Sequence, residues 1–122
     1  MAYQLFEGGV MIWDGASTPS IYIGLAVGGD WVNRPDLYQQ GDPESDPALV
    51  APEGLLQPVR GFGLLWRSDE DLRQALGWAL APELGFGGVW QAFDGGYAIA
   101  GLDGQVWFFY SQGAPGWESL RR

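Results

Sequence analysis

One nine-residue pattern occurs twice in this chain of 122 residues, and this repetition constrains the fold more than any other feature. The segment 4–12 reads QLFEGGVMI and returns at 91–99 as QAFDGGYAI. Gln, Phe, an acidic residue, Gly-Gly and Ile keep the same register, 87 positions apart. Repetition of this kind is typical of architectures in which one supersecondary unit buries its apolar face against the next. The sequence therefore predicts two similar structural units.

Each copy of the pattern is followed by an aromatic and β-branched run that is typical of a strand. The runs lie at 21–23 and 106–110, after turn-forming residues at 14–20 and 101–104. Because turn formers separate two strand-like stretches in each copy, we expect one β-hairpin per unit. The units are predicted at about 3–31 and 84–117, with strands over 3–13 and 89–100 opening the two hairpins.

The aromatic residue of each pattern is predicted to serve the core. Phe6 and Phe93 are each followed by an acidic residue and two glycines. Glycine adopts positive φ without steric cost, which suits a bulge in a strand. We therefore expect both phenylalanines to point inward from equivalent positions.

The middle of the chain has a different character. Residues 33–58 contain five prolines and five acidic residues with little periodicity. Because proline fixes φ and removes a backbone donor, we expect an ordered surface excursion. Acidic residues at alternate positions in 42–46 raise the question of a calcium site. The stretch lacks the central glycine and the bidentate glutamate of a calcium loop, so we expect a solvated acidic loop.

Short helices are predicted at about 59–76. The spacing of the apolar residues from Val59 to Trp66 places them on one helical face. Ser68 precedes three acidic residues and is the predicted N-cap of a second helix, which Gly77 would end. The helical residues predicted to enter the core are Phe62, Trp66, Leu72 and Leu76.

These elements define the expected fold class. The sequence predicts a single domain over 1–122 that is mainly β (α+β). Two similar β-hairpin units flank the short helices in a repeat-like or propeller-like arrangement.

Composition excludes many kinds of chemistry. The chain has neither Cys nor His. Thiolate metal sites, disulfides and every nucleophilic triad that uses imidazole as its base are therefore ruled out. Only oxygen ligands remain, and these suit Ca²⁺ or Mg²⁺. We expect no cofactor and no transition metal, and we assign no catalytic residue.

The charge of the chain bears on its partners. Fifteen acidic residues stand against six arginines, and the net charge is −9. Phosphate backbones and anionic lipid surfaces repel such a chain. No apolar run approaches the roughly 18 residues that span a bilayer. We expect neither nucleic-acid binding nor membrane insertion.

Aromatic residues are the main candidates for a binding role. The chain has seven Trp, five Tyr and six Phe. Large side chains fill the cores of small β-rich domains, so we expect most of the Trp to be internal. The residues singled out as candidate ligand or interface positions are Trp13, Trp31, Trp107, Trp117 and Tyr97.

Two segments resemble the LGFP repeat. They are 76–83, with the sequence LGWALAPE, and 91–96, with the sequence QAFDGG. Ala79 and Ala92 stand where that repeat usually has Pro and Arg. The resemblance implies tandem repeats in secreted, cell-wall-associated bacterial proteins, sometimes fused to esterases. It therefore implies an extracellular or cell-surface location, as part of a longer secreted protein.

Two classes of function remain open. The first is a non-enzymatic domain with a structural, self-assembling or cell-wall or glycan-binding role. Its partners would be itself, adjacent repeats or wall polysaccharide. The alternative is a carboxylate-only enzyme of the glycoside hydrolase type. For Glu83 we expect a structural role, accepting hydrogen bonds from backbone N–H groups. Coplanar exposed aromatics would favour sugar binding, whereas a broad apolar patch would favour a protein interface.

Overall fold

A computed structural model describes residues 1–16, 18–101, 103–113 and 115–121. Ser17 and Leu102, in the predicted loops 14–20 and 101–104, lie outside these residues. The fold is mainly β, as the sequence predicts. The strands are β1 (Ala2–Phe6), β2 (Gly9–Asp14), β3 (Ser20–Leu25), β4 (Trp31–Pro35), β5 (Leu84–Gly85), β6 (Val89–Phe93), β7 (Gly96–Ala100), β8 (Gln105–Tyr110) and β9 (Trp117–Arg121), and the helices are α1 (Arg60–Ser68) and α2 (Glu70–Leu76).

The strands form two antiparallel sheets. Sheet A has the order β4-β3-β2-β1-β5, and sheet B has the order β6-β7-β8-β9. Each sheet therefore contains a four-stranded meander where one hairpin was expected. The predicted single strands over 3–13 and 89–100 are wrong, because the acid–glycine pair in each is a two-residue turn. Asp94-Gly95 in the second copy is one of the strongest short hairpin signals. The interpretation of the glycines as a bulge does not predict this turn.

The two turns share one geometric requirement. Gly9 has φ 157° and Gly96 has φ 147°. A Cβ atom on Gly9 would lie 1.9 Å from the carbonyl oxygen of Gly24, and one on Gly96 would lie 1.9 Å from that of Phe109. The neighbouring strand passes so close that only glycine fits at either position.

Sheet A lies between the helices and sheet B. One of its faces packs on α1 and α2, and the other packs on sheet B. Phe6 is buried on the helical side, whereas Phe93 is 40% exposed on the far side of sheet B. The expected burial of Phe93 is therefore wrong, because the helices cover only the sheet that contains Phe6. The propeller-like arrangement stays a prediction.

The helical contribution to the core is confirmed, since all four predicted residues are buried beneath α1 and α2. The predicted N-cap of α2 is wrong by one residue. Asp69 caps the helix by accepting a hydrogen bond from the Leu72 N–H at 3.1 Å, while Ser68 ends α1 and donates to the Leu64 carbonyl. Gly77, at φ 69°, ends α2 as predicted.

The Pro-rich excursion crosses the surface between β4 and α1. Its chain is held by side-chain contacts in place of a regular ladder. The Gln57 amide donates to the carbonyls of Asp46 and Leu49 and accepts from the Asp46 N–H. Farther along, Leu56 and Ala79 form an isolated β-bridge. The excursion is thus tied to the segment that follows α2.

Trp66→Ala should lower the free energy of unfolding by about 3–5 kcal/mol, because it leaves a cavity under α1. The indole is 2% exposed, and its Nε1 donates to the Gly77 carbonyl at 2.8 Å. Urea unfolding followed by circular dichroism measures the loss. Trp66→Phe, which removes the N–H and part of the indole volume but keeps one aromatic ring, should lose less. A loss below about 1 kcal/mol for Trp66→Ala would contradict the buried packing.

Candidate functional site

Two of the candidate aromatics join the two sheets to each other. Trp31 follows β3 in sheet A, and its Nε1 donates to the Tyr110 carbonyl of sheet B at 2.8 Å. Trp117 holds the matching place after β8, and its Nε1 donates to the Leu25 carbonyl of sheet A at 2.9 Å. Each indole thus crosses to the other sheet. Both indoles therefore serve the contact between the two sheets of one chain, which is not the ligand or partner contact that the sequence suggested.

The next two candidates also lie between the sheets. Trp107 is 3% exposed and belongs to the core that the inner faces share, so its ring offers no surface to a ligand. Tyr97 is half-buried and stacks on Trp90 with ring centres 5.4 Å apart. The Trp90 Nε1 donates to the Tyr22 hydroxyl at 2.8 Å. Burial raises the pKa of Tyr22, and this hydrogen bond partly offsets the effect.

The fifth candidate, Trp13, lines an open cleft of about 240 Å³. Its Nε1 donates to Asp36 Oδ2 at 2.8 Å, and Asp36 Oδ1 accepts from the Tyr38 N–H at 3.1 Å. A Cβ on Gly61 would lie 2.8 Å from the same carboxylate, so glycine is what allows α1 to approach it. The residues around the cleft are Ala2, Trp13, Asp36, Tyr38, Arg60, Gly61, Phe62 and Glu83.

Arg60 gives the cleft its positive charge and its backbone strain. It has φ 53° at the first residue of α1, and among the described residues it is the one non-glycine with positive φ. Its Nη2 donates to Glu83 Oε1 at 2.6 Å, and its Nη1 lies 3.8 Å from Glu44 Oε1. Glu83 therefore pairs with a guanidinium. The sequence had instead predicted that it accepts from backbone N–H groups, and none of the described residues donates to it in this way. Strained residues of this kind concentrate at functional sites.

The side chains that line the cleft are of the types that bind a neutral polar ligand. Aromatic rings offer stacking surfaces, two carboxylates accept hydrogen bonds and the guanidinium donates them. Its volume lies below the roughly 300–1,000 Å³ of pockets for drug-sized ligands, so the cleft suits a single ring. Asp36 and Glu83 are the two carboxylates that line the cleft, and the glycoside hydrolase alternative requires a pair of carboxylates.

A second surface is the face of sheet B that points away from sheet A, called here the outer face. Because side chains alternate along a strand, Phe108 and Tyr110 lie opposite the buried Trp107 and Phe109. The rings of Phe108 and Tyr110 are parallel within 5° at 6.1 Å, and Phe93 meets both edge-on at 6.3 Å. The most exposed apolar residues around this cluster are Val89 (63%), Leu120 (52%) and Phe93 (40%).

Sequence reasoning missed the outer face as a site. The candidate residues include none of Phe93, Phe108 and Tyr110, although the run from Val106 to Tyr110 lacks the polar alternation of a half-exposed strand. That lack of alternation is itself a signal, since continuous apolar runs are typical of strands buried on both faces. Tyr110 donates to Glu118 Oε1 at 2.7 Å. This hydrogen bond is the main cause of the raised pKa of Tyr110, and desolvation is the second cause.

The acidic loop 42–46 directs its carboxylates to its own backbone. Asp42 accepts from the Gln39 N–H and Asp46 from the Ala48 N–H, both at 2.9 Å. Among the described residues, no group of three or more acidic side chains is placed to hold a metal ion. The described residues also contain no helix that is long and apolar enough to span a bilayer.

Comparison with known protein families, with curated proteins and with solved structures finds no match for this chain. The resemblance to the LGFP repeat therefore stays a prediction. The cleft and the outer face are the two surfaces that bear on function.

Strain at Arg60 predicts an unusual order of stability. Arg60→Gly and Arg60→Ala both remove the pair with Glu83, but only glycine adopts φ 53° without cost. We expect the Gly variant to be more stable than the Ala variant by about 1 kcal/mol, measured by urea unfolding. The order is the reverse of ordinary helix positions, where alanine is favoured. An Ala variant that is the more stable of the two would show that the backbone at Arg60 is unstrained.

Proposed function

We propose that this domain is a non-enzymatic structural module that associates with copies of itself, or with adjacent modules, through sheet B. One observation supports this most directly. Ile23 and Leu25 on β3 pack beneath the helices, whereas Phe108 and Tyr110, at the matching positions of β8, lie on the outer face. The same kind of apolar surface is covered on one sheet and exposed on the other.

The composition of the outer face supports a protein partner more than a sugar. Phe93, Phe108 and Tyr110 contact one another, and aliphatic residues surround them in place of hydrogen-bonding groups. Contiguous apolar patches of this kind mark interaction sites. The carboxylate on this face, Glu118, accepts from Tyr110. Glu118 is the one acidic residue in strands β6–β9, so little of the net charge of −9 lies on this face and local repulsion between two copies is small.

Phe93→Glu should weaken self-association at least about tenfold, because it places a carboxylate in the exposed aromatic cluster of each copy. Light scattering over micromolar to millimolar concentrations measures the change. Leu37→Glu is the matched control, since Leu37 is 71% exposed, lies outside sheet B and receives the same added charge. A wild-type chain that stays monomeric throughout this range would contradict the proposed function.

A second candidate function is the binding of a neutral sugar in the cleft around Trp13. The observation that favours it is the meeting of three aromatic side chains, two carboxylates and a strained arginine at one concave site. Wall polysaccharide, which the LGFP resemblance implies as a partner, consists of sugar rings of the kind that stack on aromatic side chains. This role belongs to the same proposed cell-surface setting and leaves the outer face free for assembly.

Tyr38→Ala should abolish sugar binding at the cleft, because it removes an aromatic ring while leaving the Trp13–Asp36 hydrogen bond in place. Isothermal titration with soluble wall oligosaccharides measures the affinity of wild type and variant. Tyr97→Phe, on the other side of sheet A, is the control. Equal affinity in wild type and Tyr38→Ala would exclude the cleft, and release of reducing ends would favour the glycoside hydrolase alternative.

A further inference from the structure

The strands at the sheet edges differ in how they are protected. In sheet A, the edge strand β4 carries Arg34 and Pro35, and in sheet B, β9 carries Glu118 and Arg121. Charged residues and proline discourage pairing with another chain. By contrast, β6 reads Val-Trp-Gln-Ala-Phe, without charge or proline, and all five residues are exposed. An edge strand of this composition is a template for a further strand.

Sheet A shows how the equivalent edge is covered. The counterpart of β6 in the first sequence copy is β1, and its outer edge pairs with the chain that returns from α2. There β5 pairs Leu84 with Tyr3, and the Leu80 N–H donates to the Leu5 carbonyl at 2.8 Å. The outer edge of β1 is thus covered by a further strand. In sheet B, the corresponding strand β6 is itself the edge strand.

The register of β6 shows which backbone groups face outward. A two-residue turn makes Phe93 and Gly96 a hydrogen-bonded pair, and Gln91 with Ala98 is the next such pair. Trp90 and Ala92 therefore direct their N–H and C=O groups away from β7. They stand 87 positions after Tyr3 and Leu5, the residues through which β1 meets its covering segment.

We propose that β6 pairs antiparallel with β6 of a second copy, about a two-fold axis at Gln91. Trp90 of one copy then exchanges hydrogen bonds with Ala92 of the other, and the two Gln91 residues face each other. Val89 lies opposite Phe93 on the shared outer face, which becomes continuous across both sheets. This inference rests on the proposed function and specifies the strand through which the copies meet.

Three observations favour a second copy as the partner. The strand is self-complementary, because the same two residues supply every outward-facing group on both sides. It is uncharged in a chain whose net charge is −9, so two copies meet without repulsion. It is also held in place, since the Trp90 indole donates to Tyr22 and stacks on Tyr97. A preformed edge loses little entropy on pairing.

Cysteine scanning tests the axis, and the absence of natural cysteine gives a clean background. In the proposed pair, the two Gln91 residues form a non-hydrogen-bonded pair with Cα atoms about 4.5 Å apart, within disulfide range. Gln91→Cys should therefore form a disulfide-linked dimer under mild oxidation at micromolar concentration. Val89→Cys is the control, because its two copies would lie about 13 Å apart along the strands. We expect cross-linking at least about tenfold faster for Gln91→Cys; equal rates would overturn the proposed axis.

Charge variants at the same position give an independent test. Gln91→Glu and Gln91→Lys each place like charges face to face, so each alone should self-associate at least about tenfold more weakly than wild type. An equimolar mixture of the two should recover the dimer, since the charges then attract across the axis. Circular dichroism shows that the variants are folded.

Light scattering and the charge variants at Gln91 distinguish failure of the proposed function from failure of the β6 pairing alone. A wild-type chain that is monomeric in light scattering defeats both this inference and the proposed function. Self-association that is insensitive to charge at Gln91 defeats the β6 pairing alone and leaves the outer face as the interface.

Discussion

The structure depends on the packing of the two sheets through their inner faces. Trp31 and Trp117 each cross this interface and donate to a carbonyl of the opposite sheet. A buried indole N–H needs an acceptor, so the two hydrogen bonds fix how the sheets sit on each other. Gly24 allows this approach, because a Cβ there would lie 2.5 Å from the Trp117 ring. Once the inner faces are joined, each sheet has only one face left.

The imbalance between those two remaining faces gives the molecule its proposed function. The helices and the segment after them cover the face of sheet A and complete the edge at β1. The corresponding face and edge of sheet B are apolar and exposed, at Phe93 and along the whole of β6. Exposed apolar area of this kind is costly in water, and a partner that covers it gains that free energy. In the proposed self-association, a second copy would cover the edge by pairing along β6, and contact between outer faces would cover the apolar face.

The cleft arises from a different feature, the meeting of four separate segments. Trp13 comes from β2, Asp36 and Tyr38 from the start of the excursion, Arg60 from α1 and Glu83 from the segment before β5. The hydrogen bond from Trp13 to Asp36 and the ion pair of Arg60 with Glu83 hold these segments together. The cleft is thus a structural junction, and its exposed groups are the ones on which the proposed sugar binding rests.

The sequence by itself determined the mainly β fold, the helical core residues and the exclusion of imidazole and thiol chemistry, because these follow from local pattern and composition. The tertiary structure alone decided which apolar face is covered. Phe6 and Phe93 occupy equivalent places in the same motif, yet one is buried and the other is 40% exposed. Periodicity shows that a face is apolar but not what packs on it, and the helices lie over one sheet only. The sequence could not predict the ion pair of Arg60 with Glu83 either, because local pattern does not show which residues 23 positions apart meet in the fold.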